Sequence, residues 1–207
     1  MKRLLLCPLM LVALVPTTFA QKRWTETDRA YLVENMKRTR DELVRETENL
    51  TTAQWNFRES PERWTIAEIT EHLALWEVIF GRETNIALRS TPEPGLNQTA
   101  RPDAYYLDYI FEEKAHVSPD FSRPSGFIRD GDNLTFFRRT REQTIRFLET
   151  TDADLRSHFE PTGGGQMRNV HQVYIVQWGH VDRHLRQIRK VKAHPAYPKG
   201  GTAAVGK

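Results

Sequence analysis

The chain has 207 residues, of which 39% are hydrophobic and 28% are charged, and its formal net charge is +3. This length and composition suit one globular domain with a single core, and they exclude a disordered chain. Its 30 basic and 27 acidic residues nearly balance, so charge gives no general argument for a nucleic-acid partner.

The first twenty residues differ from the rest of the chain. Lys2 and Arg3 precede an apolar run over residues 4–15, and Thr-Thr-Phe-Ala closes the stretch at Ala20. This order is typical of a secretory signal, and the run is too short to span a bilayer comfortably. We therefore predict a signal peptide over residues 1–20 and a periplasmic or secreted protein with no stable membrane insertion. The alternative is an uncleaved N-terminal anchor.

Cleavage near Ala20 would change the chemistry available to the chain. It would remove Cys7, the only cysteine, and with it disulfides, thiolate nucleophiles and cysteine-ligated zinc. It would also remove Lys2 and Arg3, which leaves 28 basic and 27 acidic residues. We expect the mature domain to span residues 21–191 and to be stabilised by core packing alone.

Apolar side chains at spacings of three and four predict a first amphipathic helix from Thr25 or Thr27 to about Asn49. The members of its apolar stripe are Leu32, Met36, Leu43, Thr47 and Leu50. The connection over residues 51–64 is polar and marked by proline, and it carries three aromatic residues: Trp55, Phe57 and Trp64. We expect these aromatics to cap one end of the domain rather than to stack on a ligand.

Thr65 and Glu68 form a capping box, which predicts that a second helix begins at Ile66 and runs to near Leu88. Its apolar face comprises Ile66, Ile69, Leu73, Trp76 and Ile79 or Phe80. His72 falls within the same face. Glu68 lies near His72, but capping is its expected use. Glu71 points away from that face on a helical wheel.

About forty residues rich in Pro, Gly, Asp and Ser follow, over residues 90–132. A connection this long can travel the whole height of a bundle, so we expect the second and third main helices to run parallel. Within it, Pro102–Lys114 is typical of a short helix with Pro at N1. The third main helix is expected to open at Asp132 or Asn133 as its cap and to end near Thr150. Its apolar face comprises Leu134, Phe137, Ile145 and Leu148.

After a loop that reads P-T-G-G-G-Q, a fourth main helix is predicted over Arg168 to Val191, and residues 192–207 are expected to form a disordered tail. The buried stripe of this helix comprises Val173, Gln177, His180, His184, Ile188 and Val191. No alternation along the chain is long enough to predict a strand.

Two histidines occupy positions in that stripe. His180 and His184 lie about 40° apart on one helix face, so both imidazoles can bind one ion. Polar groups in a buried stripe cost free energy unless they are paired or ligated. Together with His72, one core could receive three imidazoles from two helices. Three neutral imidazoles leave a divalent ion its full charge and an open position, which is the arrangement of catalytic zinc sites.

The sequence therefore predicts a divalent transition metal bound by His72, His180 and His184. Zinc or nickel is the first expectation, although copper and iron also suit imidazole ligands. Gln177, one turn before His180, is the candidate catalytic residue that would orient a bound water or a substrate. A hydrogen bond within the core is the alternative for Gln177.

The surrounding sequence limits other roles. Val181 stands where an H-E-x-x-H motif requires glutamate, which excludes a metalloprotease helix of that type. Gly179 either removes bulk beside the histidines or allows close helix packing. The remaining histidines are expected at the surface; they are His116, His158, His171 and His194.

Two motifs together resemble a known family. P-E-R-W-T-I-A-E-I-T-E-H-L at residues 61–73 and H-V-D-R-H-L-R-Q-I at residues 180–188 are similar to the DinB-like superfamily, over roughly Thr25 to Val191. The resemblance implies an all-α four-helix bundle of up-down-down-up topology, with a long crossover between helices two and three. It also implies a divalent metal bound by one histidine of helix two and two of helix four, which correspond to His72, His180 and His184.

Members of this family include proteins described as metal-dependent hydrolases and thiol S-transferases. The thiol cofactors of the transferases belong to the cytosol, where an exported protein does not act. Our leading hypothesis is an exported metalloprotein that acts as a hydrolase or transferase on a small molecule. The alternatives are a non-catalytic module that binds metal or ligand, and a structural bundle without activity. The pattern leaves open whether the bundle is a monomer or a homodimer.

Overall fold

The computed structural model describes residues 23–114, 116–128, 130–161 and 167–200. Its four long helices are α1 (Glu26–Thr47), α3 (Ile66–Ala87), α5 (Asp130–Thr150) and α6 (Val170–Lys192). Shorter elements are α2 (Thr52–Trp55), α4 (Asp103–Phe111), two 3₁₀ turns (Pro94–Gln98 and Asp120–Ser122), and strands β1 (Phe159–Pro161) and β2 (Met167–Asn169). The predicted signal peptide lies outside the described residues. Within the described ranges, every helix is too short or too polar to span a membrane.

The directions of the long helices follow from which ends meet. Arg29, near the start of α1, donates to the Leu148 carbonyl near the end of α5, so these two helices are antiparallel. Arg189, near the end of α6, pairs with Glu46 near the end of α1, so α1 and α6 are parallel. His72, near the start of α3, lies against His180 at the middle of α6 and His184 in its second half. Glu77, further along α3, accepts from Gln177 earlier in α6, so α3 and α6 are antiparallel. The bundle is therefore up-down-down-up, and the predicted topology and crossover are confirmed.

Capping side chains fix where three of the long helices begin. Thr25 and Asp28 form a capping box at α1, and the predicted box of Thr65 and Glu68 is present at α3. The box of α6 is formed by Asn169 and Gln172, so α6 begins at Val170 instead of Arg168. The residues just before α6 pair with residues 159–161 as an antiparallel hairpin. The sequence did not indicate this hairpin, because strands of three residues are too short to show alternation.

The start of α5 also differs from the prediction. α5 begins at Asp130, before the predicted cap at Asp132 or Asn133. Asn133 is buried, and its side-chain amide donates to the Ile128 carbonyl at 2.8 Å. Asn133 therefore holds the residues that precede α5 in place and does not cap the helix.

Two shorter helices were predicted incompletely. Pro102 is the N-cap of α4 rather than its first helical residue, and α4 ends at Phe111, before the predicted Lys114. The four-residue helix α2 was not predicted, although Thr51 and Gln54 form a capping box at its start.

The first part of the expected disordered tail packs against the segment around α2. Lys192 is the last residue of α6. Gln54 Nε2 donates to the Pro198 carbonyl at 3.1 Å, and the rings of Tyr197 and His194 each lie 5.4 Å from the ring of Phe57. The tail prediction is therefore wrong for residues 192–198, because these aromatic contacts were not visible in the sequence pattern. Residues 201–207 lie outside the described residues.

One buried polar cluster joins all four long helices. Arg141 of α5 is 0% exposed, and its guanidinium donates to both carboxylate oxygens of Glu77 of α3, at 2.9 and 2.5 Å. It also donates to Thr39 Oγ1 of α1 at 3.0 Å. Gln177 of α6 donates its side-chain amide to Glu77 at 2.9 Å. Two buried charges are tolerated because each is paired and further hydrogen-bonded.

A second polar cluster holds the end where α1 and α6 begin. The Trp24 indole donates to His171 Nδ1 at 3.2 Å, so the proton of this imidazole sits on Nε2, which lies 3.5 Å from Asp103. Arg156 pairs with Asp28 at 2.7 Å and with Asp103 at 2.9 Å. His171 is 1% exposed, so its predicted surface position is wrong. Its partners are distant in sequence and gave no local signal.

The other three expected surface histidines have different environments. His116 is exposed, as predicted. His158 and His194 are half-buried, and the Nδ1 atom of His158 is fully buried. The surface prediction therefore holds fully for His116.

Removing the negative charge from the first cluster should destabilise the bundle strongly. Glu77→Gln keeps the side-chain shape but leaves the Arg141 guanidinium buried without a counterion. We expect the free energy of unfolding to fall by roughly 3–5 kcal/mol, measured by urea denaturation followed by circular dichroism. The control is Lys37→Met in the exposed pair Lys37–Glu149, whose side chains are 45% and 40% exposed. The control should cost less than about 1 kcal/mol. Equal losses would contradict the assigned role of the buried pair.

The second cluster should make the free energy of unfolding depend on pH in the acidic range. Burial alone would raise the pKa of Asp103, but hydrogen bonds from His171, Arg156 and Gln172 outweigh it and hold that pKa well below its usual range. Such a carboxylate stabilises the fold above its unfolded pKa of about 3.9, and this stabilisation is lost as the pH falls towards the folded pKa.

Asp103→Asn should therefore lower the free energy of unfolding at pH 7 and flatten its decrease on acidification below about pH 4, relative to wild type. Urea unfolding at pH 7, 5 and 3 measures both effects. Asp41→Asn removes an exposed carboxylate that pairs with half-buried Arg40; this matched control should follow the wild-type pH profile. An unchanged profile in Asp103→Asn would refute the stabilising role of this carboxylate.

Candidate metal centre

Three histidines from two helices direct ring nitrogens at one another. Nε2 of His180 lies 3.1 Å from Nε2 of His72 and 3.1 Å from Nε2 of His184. Nitrogens bound to one tetrahedral zinc at 2.0–2.1 Å lie about 3.3 Å apart, so the observed spacing suits a shared ion. His72 and His184 are buried and His180 is half-buried, so the cluster reaches solvent at His180. The structure thus brings together all three residues predicted from the sequence.

Hydrogen bonds at the opposite ring nitrogens determine which atoms can bind an ion. His72 Nδ1 lies 2.7 Å from the Ser122 carbonyl, which can only accept, so Nδ1 carries the proton. His184 Nδ1 lies 2.9 Å from Gln187 Oε1 and donates to it in the same way. Both Nε2 atoms therefore present lone pairs to the same region. Facing lone pairs are unfavourable unless a proton or cation lies between them, so this donor set fits a divalent metal.

The environment keeps the imidazoles neutral. Burial lowers the pKa of His72, and burial with the nearby His72 lowers the pKa of His184 to about 3. The pKa of His180 lies well below its ordinary value because of burial and the neighbouring His184, His72 and Arg183. Neutral imidazole is the form that binds metal, so no proton has to be displaced near pH 7.

Aromatic side chains surround the cluster. The Trp64 ring lies 4.8 Å from the ring of His72, and it stacks on His184 at 6.4 Å with an interplanar angle of 18°. The Trp76 ring lies 5.6 Å from that of His180. Trp64 does lie at the bundle end, as predicted, but it also packs directly on two of the three histidines. These rings reduce the access of water to the cluster and lower its local dielectric constant.

Two consecutive residues of α3 clamp the crossover onto the bundle. His72 donates to the carbonyl of Ser122, as described above. Glu71 is buried and accepts hydrogen bonds from Ser125 N, Ser125 Oγ and Gly126 N at 3.1, 2.9 and 2.9 Å. Gly126 has φ +71°, a conformation that favours glycine. Glu71 faces this clamp rather than acting beside the histidines, and sequence analysis missed its role because that role depends on the path of the crossover.

The structure also shows what the other candidate residues from the sequence contact. Gln177 is 1% exposed and bonds to Glu77, so the structure supports its core hydrogen-bond alternative. Its role in orienting water or substrate stays a prediction. Glu68 serves the capping box, as expected. A side chain on Gly179 would approach Ile110 Cδ1 to 2.5 Å, so this glycine allows α4 to pack closely on α6.

The sequence profile of the DinB superfamily matches residues 35–188. This chain belongs to the DinB superfamily. The matched span contains His72, His180 and His184, and it covers most of α1 and all of α3 and α5. The resemblance of the two sequence motifs to this family is therefore confirmed.

This DinB-superfamily chain is also similar to a solved structure. YfiT from Bacillus subtilis, described as "a probable metal-dependent hydrolase with an unusual four-helix bundle topology", aligns with a TM-score of 0.56 and 14% identity. The alignment covers 81% of this chain and 87% of YfiT. At this identity, the likeness shows a common fold. Among the curated proteins, none matches the sequence.

The clamp can be tested without any metal. Glu71→Gln keeps the side-chain size but replaces a carboxylate acceptor with a neutral amide. We expect the amide hydrogens of Ser125 and Gly126 to exchange with solvent roughly five- to tenfold faster, because charge-assisted hydrogen bonds are the stronger class. Hydrogen exchange followed by NMR measures this rate. Glu113→Gln, an exposed site on the same connection, should leave both rates unchanged. Unchanged exchange in Glu71→Gln would disprove the clamp.

Proposed function

We propose that this chain is an exported metalloprotein in which His72, His180 and His184 bind one divalent transition metal. We propose further that it acts as a hydrolase or transferase on a small molecule. The observation that carries the proposal is the convergence of the three Nε2 atoms, two of which belong to imidazoles oriented through Nδ1. Core histidines that served only packing would not need to direct their lone pairs at one another.

The chain's own residues would prepare the site for chemistry. Ser122 and Gln187 fix two imidazoles in the tautomer that leaves Nε2 free. Trp64 and Trp76 limit the access of water. A bound divalent ion would supply a Lewis acid and would lower the pKa of a bound water towards neutrality. The half-buried edge of His180 is the side from which a substrate would approach.

The three proposed ligands are neutral imidazoles, which distinguishes this site from one that only holds an ion tightly. Glu71 and Glu77 are engaged in the clamp and in the buried ion pair, so they are not offered as further ligands. Three imidazoles leave the full positive charge of the ion to act on a substrate. Zinc or nickel is our first candidate. Copper and iron also suit imidazole ligands, and the affinity order of divalent metals does not by itself choose among these ions.

Export is a separate part of the proposal and rests on the sequence of residues 1–20. Outside the cytosol, low-molecular-weight thiol cofactors are scarce, which favours hydrolysis over thiol transfer. The partner we propose is a small molecule, and the nearly equal numbers of basic and acidic residues support no nucleic-acid partner. We expect no stable membrane insertion after cleavage of the signal peptide. The proposal is compatible with both a monomer and a homodimer.

Elemental analysis of the mature protein, purified without chelators or affinity-tag histidines, tests the metal site. We expect about one equivalent of a single transition metal in the wild type and its loss in His72→Ala and His180→Ala, because three ligands are needed for a stable site. His116→Ala, at an exposed histidine, is the control and should retain the metal. No bound metal, and no binding on titration, would overturn the whole proposal.

Activity is tested separately on ester, amide and thiol-transfer substrates with the metal-loaded protein. We expect metal-dependent turnover that His180→Ala abolishes and His116→Ala preserves. Bound metal without turnover on any of these substrates would overturn the catalytic part and support the non-catalytic binding module.

A further inference from the structure

The 3₁₀ turn Asp120–Ser122 brings an exposed aromatic ring to the histidine cluster. The carbonyl of Ser122 accepts from His72 Nδ1 at 2.7 Å. The preceding residue, Phe121, places its ring 5.9 Å from the ring of Trp76, and Trp76 in turn lies 5.6 Å from His180. A continuous row of rings therefore leads from the surface to the half-buried histidine.

The position of Phe121 is fixed, although its ring is exposed. The residue is 68% exposed, whereas its neighbour Ser122 is 0% exposed. Ser122 is held through its carbonyl, and its hydroxyl bonds to Ser118 at 2.9 Å. The turn is thus anchored on one side of Phe121. A large apolar side chain held in solvent beside a cluster of candidate metal ligands is available to contact a ligand bound there.

The inner part of the row is also apolar. Phe80 is buried, its ring lies 5.0 Å from that of Trp76, and it is 6.4 Å from His180. Three carboxylates of α3 lie nearby, and each is already engaged: Glu68 by the capping box and Arg58, Glu71 by the clamp, and Glu77 by Arg141. The wall beside His180 therefore offers aromatic surface rather than a free anionic group to a ligand.

We infer that the site takes small molecules that carry an aromatic group next to a neutral or anionic metal-binding oxygen, and that Phe121 and Trp76 form the subsite for the aromatic group. This inference rests on the proposed function, because the oxygen would bind at the three-histidine centre. Aromatic groups pack favourably against other rings in offset or edge-to-face arrangements. Esters or amides of aromatic acids are the substrate class that fits both requirements.

The test compares two hydroxamates that differ in the group attached to the same chelating unit. Benzohydroxamate and acetohydroxamate are titrated by calorimetry into the zinc-loaded mature protein, and the zinc content of each variant is measured first. Their affinities for free zinc provide the baseline. We expect wild type to prefer benzohydroxamate by about tenfold beyond that baseline, the size of one aromatic contact.

Phe121→Ala should reduce this preference to about twofold or less while the affinity for acetohydroxamate stays unchanged, and Phe121→Leu should keep part of it. Phe127→Ala is the matched control, since this phenylalanine lies on the same connection and is 89% exposed. It should retain the wild-type preference.

Equal affinities in wild type, or a preference that survives in Phe121→Ala, would overturn the aromatic subsite and leave the proposed metal site intact. Failure of the wild-type protein to bind zinc or any other transition metal would overturn the proposed function, and this inference with it.

Discussion

The buried ion pair between Arg141 and Glu77 sets the frame in which the three histidines meet. It draws one residue from each long helix into one hydrogen-bonded cluster. A shift of any helix would leave a buried charge or amide without its partner, and such groups are costly in a dry interior. Glu77 lies five residues after His72 on α3, and Gln177 lies three residues before His180 on α6. The register of these two helices is therefore fixed within about two turns of the site. The 3.1 Å approach of the imidazoles depends on that register.

Local sequence information was sufficient to predict the four long helices and the three histidines. The helical period and the capping residues identify where chain segments become amphipathic, and both are properties of neighbours within four residues. His180 and His184 were recognisable because they occupy consecutive turns of one apolar stripe. His72 was recognisable because it interrupts a second stripe. Histidines in the apolar stripes of two helices predict one shared site in a small core. The three histidines do converge in the structure.

Interactions that complete the site were not predictable in the same way. Ser122 lies 50 residues from His72, and its partnership depends on the path of a crossover without a regular period. Glu71 bonds to backbone N–H groups of that crossover, and any residue type can supply these donors. Arg141 is different, because a signal existed. It stands in the stripe of Leu134, Phe137, Ile145 and Leu148, and a charged residue at a buried position indicates a partner on a facing helix.

The crossover between α3 and α5 supplies further contacts to the site. Helices α3 and α6 supply the three histidines, and the ion pair fixes the register of these helices, so this part of the site has little freedom to vary. The crossover supplies the acceptor that orients His72 and, one residue earlier, the ring of Phe121 beside Trp76. Phe121 and Ser122 share one short turn, so the same segment holds the exposed ring and the acceptor of His72. The part of the site that we propose to contact the ligand's aromatic group therefore lies on the crossover, outside the long helices that hold the histidines.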